Sequence, residues 1–310
     1  MDDYKCPICN NCELLRTIPR KVGGLVAECV ICGHLSLWPQ PDNKTVQTQY
    51  AESAYVVAKD VGNALFDNQS FKLLKKFDSR KNLSVLDVGC GVGGFLKKCI
   101  QHKHRATGIE VTKNIVDQLV SEGLDVHHKS LNEFHNSKQQ YDWVACIDVI
   151  EHMQEPLEAI EALADLVKPQ GFLVIETPNG DAIAANGENA YGLHVDKEHL
   201  NYFRVEQLIR LFEAHGLNLV CKKYCPASTI NGRGKMSGKN ISHVAASLPI
   251  DEHTYRKNAK PGGLRALVDK MPPVFRSGLR SVAQIARHIG AIDEIAAGKS
   301  HEFIIVMKRP

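Results

Sequence analysis

From Leu83 onward the chain alternates short apolar runs with amphipathic stretches. This pattern calls for strands in a parallel sheet covered by helices on its faces. The runs SVLDVG, ATGIEV, DVHHKSL, YDWVACIDV, GFLVIET, LNLVCKKY and, after a long interval, EFIIVMK are seven candidate strands. Between them apolar residues recur at helical spacing, as in Leu157, Ile160, Ala164 and Val167, or Leu208, Leu211 and Phe212. The expectation is an α/β fold. Hydrophobic residues at 44% and charged residues at 24% are enough to bury one large core beside a smaller module.

The first strand runs into Asp87-Val-Gly89-Cys90-Gly91-Val-Gly93-Gly94 and then a helical segment, with Glu110 following twenty-three residues after Asp87 at the end of the second strand. Glycines allow a tight turn and close ligand approach, and an acid at that second position can accept both hydroxyls of a ribose. The loop reads D-x-G-x-G-x-G rather than the dinucleotide pattern G-x-G-x-x-G. An acid there repels a pyrophosphate but suits a ligand carrying an ammonium and a sulfonium.

At these residues the chain resembles the class I S-adenosylmethionine-dependent methyltransferases. The resemblance continues at Asp148-Val-Ile-Glu151-His152, Val167-Lys-Pro169-Gln-Gly171 and Glu176-Thr177-Pro178-Asn179, so that four motifs fall in order over residues 83–225. It implies a Rossmann-like seven-stranded sheet, with EFIIVMK as an antiparallel last strand between strands five and six. It also implies S-adenosylmethionine as cofactor. Gly89, Cys90, Gly91 and Gly93 would wrap its methionyl part, Asp87 would organise the loop and Glu110 would hold the ribose. Ser130 and Leu131 fall where adenine is contacted, although HKSLNEF lacks the more usual acid, and Asp148 completes the cofactor-binding set.

Two CxxC knuckles, Cys6-Pro-Ile-Cys9 and Cys29-Val-Ile-Cys32, stand nineteen residues apart, the spacing of a four-cysteine zinc ribbon. A segment this short, with few large apolar residues, needs a metal to hold its shape, so the zinc is expected to be structural. Cys12 and His34 lie near enough to substitute and are read as spectators. The implied organisation is a ribbon over 1–45, a helical lead-in over 46–82, the cofactor-binding core over 83–225, a loop and helical cap over 226–300, and the last strand over 301–310. The acidic start MDDYK is not a secretion signal and no run nears ~20 apolar residues, so a cytoplasmic enzyme with no membrane partner is expected.

The ribbon, the Pro39-Gln-Pro41 exit and Glu198-His199-Leu-Asn-Tyr202-Phe203 together resemble bacterial zinc-ribbon methyltransferases of sugars, sugar nucleotides and other small metabolites. Quinone O-methyltransferases share the core and the Glu-His after strand four but lack the ribbon, which ranks a sugar acceptor first. Methylating a hydroxyl calls for a base. His199 is first choice by this resemblance, with Glu198 or Tyr202 orienting it, and His152 is second. A divalent metal held by Glu151, His152, His199 and His194 is a further reading. Between Pro226 and Ser300 twelve Lys and Arg face five Asp and Glu, a surplus suited to an anionic acceptor such as a nucleotide sugar. Two alternatives stay open: a zinc-ribbon RNA methyltransferase, disfavoured because residues 1–36 carry no basic stripe or stacking aromatics, and a cofactor-binding protein without catalysis.

Overall fold

The computed structural model describes residues 4–42, 45–46, 67–190, 193, 197–226 and 300–310. The expected cap over 226–300, apart from its terminal residues, and most of the lead-in before Asp67 lie outside them. The N-terminal strands are β1 (Leu14–Pro19), β2 (Leu25–Cys29) and β3 (Leu35–Trp38). After α1 (Asp67–Phe77) come β4 (Ser84–Val88), α2 (Gly94–Gln101), β5 (Arg105–Glu110), α3 (Lys113–Ser121), β6 (Asp125–His128), α4 (Leu131–His135) and β7 (Tyr141–Ile147). A 3-10 turn (Ile150–His152) leads to α5 (Pro156–Asp165), β8 (Val167–Pro178), α6 (Gly180–Asn186), β9 (Asn201–Tyr202), α7 (Val205–Ala214), β10 (Asn218–Pro226) and β11 (Ser300–Lys308).

Seven strands form one sheet in the order β10-β11-β8-β7-β4-β5-β6. β8, β7, β4, β5 and β6 run parallel, while β11 lies antiparallel between β8 and β10. All seven expected strands are present, and the last sits between the fifth and sixth as the motifs implied. The alternation of side chains along each strand divides the core into two layers. Leu86, Val88, Val144, Cys146, Leu173, Ile175 and Ile305 face one layer with α5 and α7. Val85, Trp143, Ala145, Phe172, Val174, Ile304 and Val306 face the other with α1, α2 and α3. Strands buried on both faces read as unbroken apolar runs, which is why these segments show no polar alternation.

β8 begins earlier than the sequence suggests. Val167 already pairs with Tyr141, and a register shift between Tyr141 and Trp143 absorbs the Pro169-Gln170 stretch.

The smaller sheet has the order β1-β2-β3-β9, all antiparallel. Its fourth strand comes from the Glu-His-x-x-Tyr-Phe segment: Leu35 pairs with Tyr202 and Ser36 with Asn201. Ile18, Val26 and Leu35 pack with Ile183, Ala190, Leu193 and Tyr202 beneath it. No helix among the described residues is long and apolar enough to cross a membrane.

Candidate active site

The glycine loop leaves the carboxyl end of β4 with Gly89, Gly91 and Gly93 all in the left-handed region, at φ 68°, 47° and 76°. A Cβ on Gly89 would lie 2.4 Å from a methyl of Val149, and one on Gly93 2.9 Å from Leu119, whereas one on Gly91 would meet nothing within 4 Å. Two of the glycines are therefore required by packing, and Gly91 is the one whose bare backbone faces open space. Glu110, at the end of β5, ties the loop down: one carboxylate oxygen accepts from the Gly91 N–H (3.1 Å) and the other from the Thr112 N–H (2.9 Å). Each oxygen keeps a second lone pair, so the same carboxylate can still receive two hydroxyls. Asp87 is buried directly beneath the loop. The loop, its open glycine and its acids fit a nucleoside carrying a cationic tail.

Cys90 offers that site only its backbone, because its side chain is buried near Gly108. Burial, then Asp87 and Glu110, pushes its thiol pKa up. The Cys146 thiol is raised in the same way, by burial and then by Glu151, Asp87 and Asp148, so this end of the sheet is strongly acidic. Ser130 caps α4 in a capping box: its hydroxyl accepts from the Glu133 N–H, and the Glu133 carboxylate takes both the Ser130 N–H and O–H. Leu131 is buried in the core. Their side chains start a helix and pack it, a local role that the sequence reading did not assign.

Beyond β7, Asp148 adopts φ 53° and gives its N–H to the Glu176 carbonyl (2.9 Å), turning the chain into the Ile150–His152 turn. Glu151 is fully buried and one of its oxygens accepts from the Thr177 hydroxyl (2.9 Å). Its other oxygen lies 3.8 Å from His199 Nε2. The His152 ring sits edge-on to that of His199, with centroids 4.8 Å apart, and its Nδ1 is 3.2 Å from the Glu198 carbonyl oxygen. The two histidines picked out by position are thus brought together, although they stand forty-seven residues apart in sequence.

The Tyr202 and His199 rings meet edge to face with centroids 5.9 Å apart, and the Tyr202 hydroxyl accepts from Arg20 Nη1 (3.1 Å). Glu198 meets His152 through its backbone. The carboxylate at the His199 ring is Glu151. Donor atoms of Glu151, His152 and His199 all lie within 4.8 Å of one another, an arrangement able to hold a divalent cation; His194 lies outside the described residues.

Beside the smaller sheet, the four knuckle thiols converge. Cys6 Sγ is 3.5 Å from Cys32 Sγ and Cys9 Sγ is 3.5 Å from Cys29 Sγ, and all four lie within 4.8 Å. Tetrahedral Zn–S bonds of about 2.3 Å separate sulfurs by about 3.8 Å, so the cluster fits zinc with little adjustment. The hydrogen bond from Cys32 lowers the Cys6 thiol to about 4, favouring thiolate there. His34 is not a candidate ligand: it is fully buried, with its ring nitrogens 3.1 Å from Gln207 Oε1 and Asn201 Oδ1. Cys12 is exposed and its thiol faces the Asn10 carbonyl.

A family model described as a methyltransferase domain matches residues 57–222. Among curated proteins, the ubiquinone biosynthesis O-methyltransferase of Hydrogenovibrio crunogenus is 30% identical over 115 residues, which is 35% of this chain and 48% of that protein. The chain spans about half the length of that relative. Among solved structures, the Haemonchus contortus phosphoethanolamine N-methyltransferase 2, in complex with phosphomonomethylethanolamine and S-adenosylhomocysteine, superposes with a TM-score of 0.53 at 15% identity, covering 85% of this chain and 58% of that one. The [4+2]-cyclase SpnF superposes at 0.51 with 17% identity, covering 87% and 97%. Likeness at that level establishes the fold alone, and the cyclase's name shows that this fold hosts more than one reaction. With four motifs in order, the seven-stranded topology and a family match over more than half its length, the chain belongs to the methyltransferase-domain family of class I S-adenosylmethionine-dependent enzymes.

Proposed function

We propose that this chain methylates a hydroxyl oxygen of a small-molecule acceptor, with His199 as general base. The observation that carries the reading is His199 itself: buried, set against the Glu151 carboxylate at 3.8 Å, and placed beside His152 near the carboxyl end of the sheet. When bound, S-adenosylmethionine supplies a methyl group on a positively charged sulfur, open to in-line attack. Asp87, Glu110 and the Gly89–Gly93 loop hold and orient it, and the acidic surroundings favour its positive charge. His199 would take the acceptor proton as the new C–O bond forms and the sulfur–methyl bond breaks, leaving a neutral thioether, and Glu151 would stabilise the imidazolium that results.

Within that reading, the acceptor is a sugar, sugar nucleotide or related metabolite. The support is the joint presence of the four-thiol ribbon and the Glu-His-x-x-Tyr-Phe segment. The basic stretch 226–300 supports an anionic member of the class. The name of the curated relatives supplies the competing acceptor class. Isotope-labelled S-adenosylmethionine offered with a panel of nucleotide sugars and ubiquinone-pathway intermediates decides between them. Label transferred only to the second group overturns the sugar assignment, and label transferred to neither overturns O-methylation of both.

A second reading has its own observation, the convergence of Glu151, His152 and His199. A carboxylate with two imidazoles suits a divalent cation that would lower the acceptor's pKa. Loss of turnover on treatment with a chelator that leaves the ribbon metal in place, reversed by Mg²⁺ or Mn²⁺, favours it over a metal-free base. The four thiols Cys6, Cys9, Cys29 and Cys32 would hold a zinc ion that is structural and takes no part in transfer.

A further inference from the structure

Arg20 is an arginine on the β1–β2 turn, well outside the motifs that carry the chemistry, and yet it is only 8% exposed. Its guanidinium makes four hydrogen bonds to described residues. Nε donates to the Gly23 carbonyl (2.9 Å), within its own turn. Nη1 donates to the His199 carbonyl and to the Tyr202 hydroxyl (3.1 Å each), and Nη2 donates to the Lys197 carbonyl (3.2 Å). Three of these bonds therefore reach a segment 177 to 182 residues away in sequence, and two of those take the Lys197 and His199 carbonyls, on either side of Glu198. Residues 197–200 are irregular, so their carbonyls have no ladder to satisfy them, and a buried carbonyl needs a partner.

The rest of the small sheet grips the same segment. The Leu37 N–H donates to the Leu200 carbonyl (2.8 Å), β3 pairs with β9, and His34 meets Asn201. The second knuckle is tied in directly: the Cys32 carbonyl accepts from Gln207 Nε2 (3.3 Å) and the Gly33 carbonyl from Arg204 Nε (2.8 Å). From the opposite side, the Glu151 carbonyl takes the Leu200 N–H (2.9 Å) and the Met153 carbonyl takes Asn201 Nδ2 (2.6 Å). The segment that carries His199 is clamped between the turn after β7 and the four-thiol sheet.

We propose that Arg20 is a positioning residue for His199, its planar fork fixing the backbone at 197–202, so that the four-thiol sheet serves as the outer wall of the active site. This rests on the reading of His199 as the base. A lysine cannot replace the fork, because an ammonium on a flexible stem is a single point charge and cannot span three acceptors in one plane.

The test uses the full chain, and its exchange, zinc and cofactor measurements need no acceptor. Hydrogen exchange is followed on peptides covering 197–203, β1–β2 and β4–α2 in the parent, Arg20→Ala, Arg20→Lys and the milder Tyr202→Phe, alongside zinc content and S-adenosylmethionine affinity. The His199 ring resonance, identified by its absence in His199→Ala, is titrated with pH in each variant. Losing a buried, charge-assisted bond should speed opening of 197–203 on the order of tenfold in Arg20→Ala. Arg20→Lys should behave like it, Tyr202→Phe should move the same way by less, and the His199 titration should shift, with zinc and cofactor affinity held. Unchanged exchange at 197–203 overturns the proposal. So does loss of protection there only in step with β1–β2 and with zinc release, which would make Arg20 a folding residue of the small sheet. If the exchange result holds while His199→Ala keeps full turnover, the base assignment falls and the clamp on the segment stands.

Discussion

The described residues hold two clusters of ligating side chains, and they were built in different ways. The four thiols come from two copies of one short turn, each of which aims two sulfurs at a point, so the cluster could be read from spacing alone. Glu151, His152 and His199 come from the turn after β7 and from a segment forty-seven residues further on. They meet only because β7 and β8 lie side by side and because the small sheet presses residues 197–202 onto them. With a metal bound, the first cluster would supply structure that the short N-terminal segment lacks. The second is held in place by structure already made, by the seven-stranded core on one side and the four-thiol sheet on the other.

The largest effect that separates them is expected from the thiols. Structural zinc sites of this kind contribute on the order of 10 kcal/mol of apparent binding energy, which in a small module is folding energy. Cys9→Ser should drop zinc from one per chain to none, measured by elemental analysis, and should abolish exchange protection over β1–β3. The seven-stranded core should keep its protection and its affinity for S-adenosylmethionine. Full zinc content in that variant would mean that another ligand, Cys12 first, completes the site.

Next in size is the chemical cluster. His199→Ala should lower kcat by about 10²–10⁴-fold, as expected for removal of a general base, while cofactor affinity in calorimetry stays near that of the parent. His152→Ala is the comparison, and a smaller loss there keeps His199 as the base. An equal loss in both, together with rescue by a divalent cation, moves the assignment to the metal-assisted reading. A parent-like rate in His199→Ala removes it from the chemistry altogether.

A smaller effect belongs to the glycine loop, which neither cluster touches. Gly91→Arg introduces a long side chain at φ 47°, where L residues are strained, and fills the open space at the loop. Cofactor affinity should fall by at least about tenfold while zinc content is unchanged. Binding equal to the parent would show that the loop faces some other ligand.

The contrast between the clusters also explains how much could be read in advance. The order of the strands and the antiparallel last strand followed from the resemblance carried by the four motifs, whereas the strand runs were legible because burial on both faces writes an apolar signature on each strand separately. The thiol knuckles and the glycine loop were legible for the same reason: each is a local turn whose residues are neighbours in sequence. The clamp of Arg20 on residues 197–202 was not, because a lone arginine after Pro19 carries no local pattern and its partners lie more than 170 residues away. Tyr202, expected to help orient His199, is also a buried strand residue whose hydroxyl accepts from Arg20. Ser130 and Leu131 were read through resemblance, while the capping pattern Ser130-x-x-Glu133 was available locally and describes their side chains better.

Acid offers the gentlest separation of the two regions. At the amino end of the central strands, Asp142 is partly buried, which alone would raise its pKa. It accepts from the Ser84 hydroxyl (2.6 Å) and N–H (2.8 Å) and faces Lys168 Nζ at 3.1 Å, and these contacts win, holding it at about 2 against 3.8 in an unfolded chain. Because the folded value is the lower one, this contribution is fully present above pH 3.8 and is lost as the pH falls toward 2. It amounts to about 1 kcal/mol once solvent screening of the partly exposed lysine is counted. Thiolate–zinc bonds respond in the same direction but at higher pH, since protons compete for each sulfur. On stepwise acidification, zinc release and loss of β1–β3 protection should therefore come before the core begins to weaken. Asp142→Asn should flatten only the later, core phase between pH 4 and 2, leaving the midpoint of zinc release where it was. If both phases move together, the four-thiol sheet and the core unfold as one cooperative unit, and the division between a metal-made region and a burial-made region does not hold.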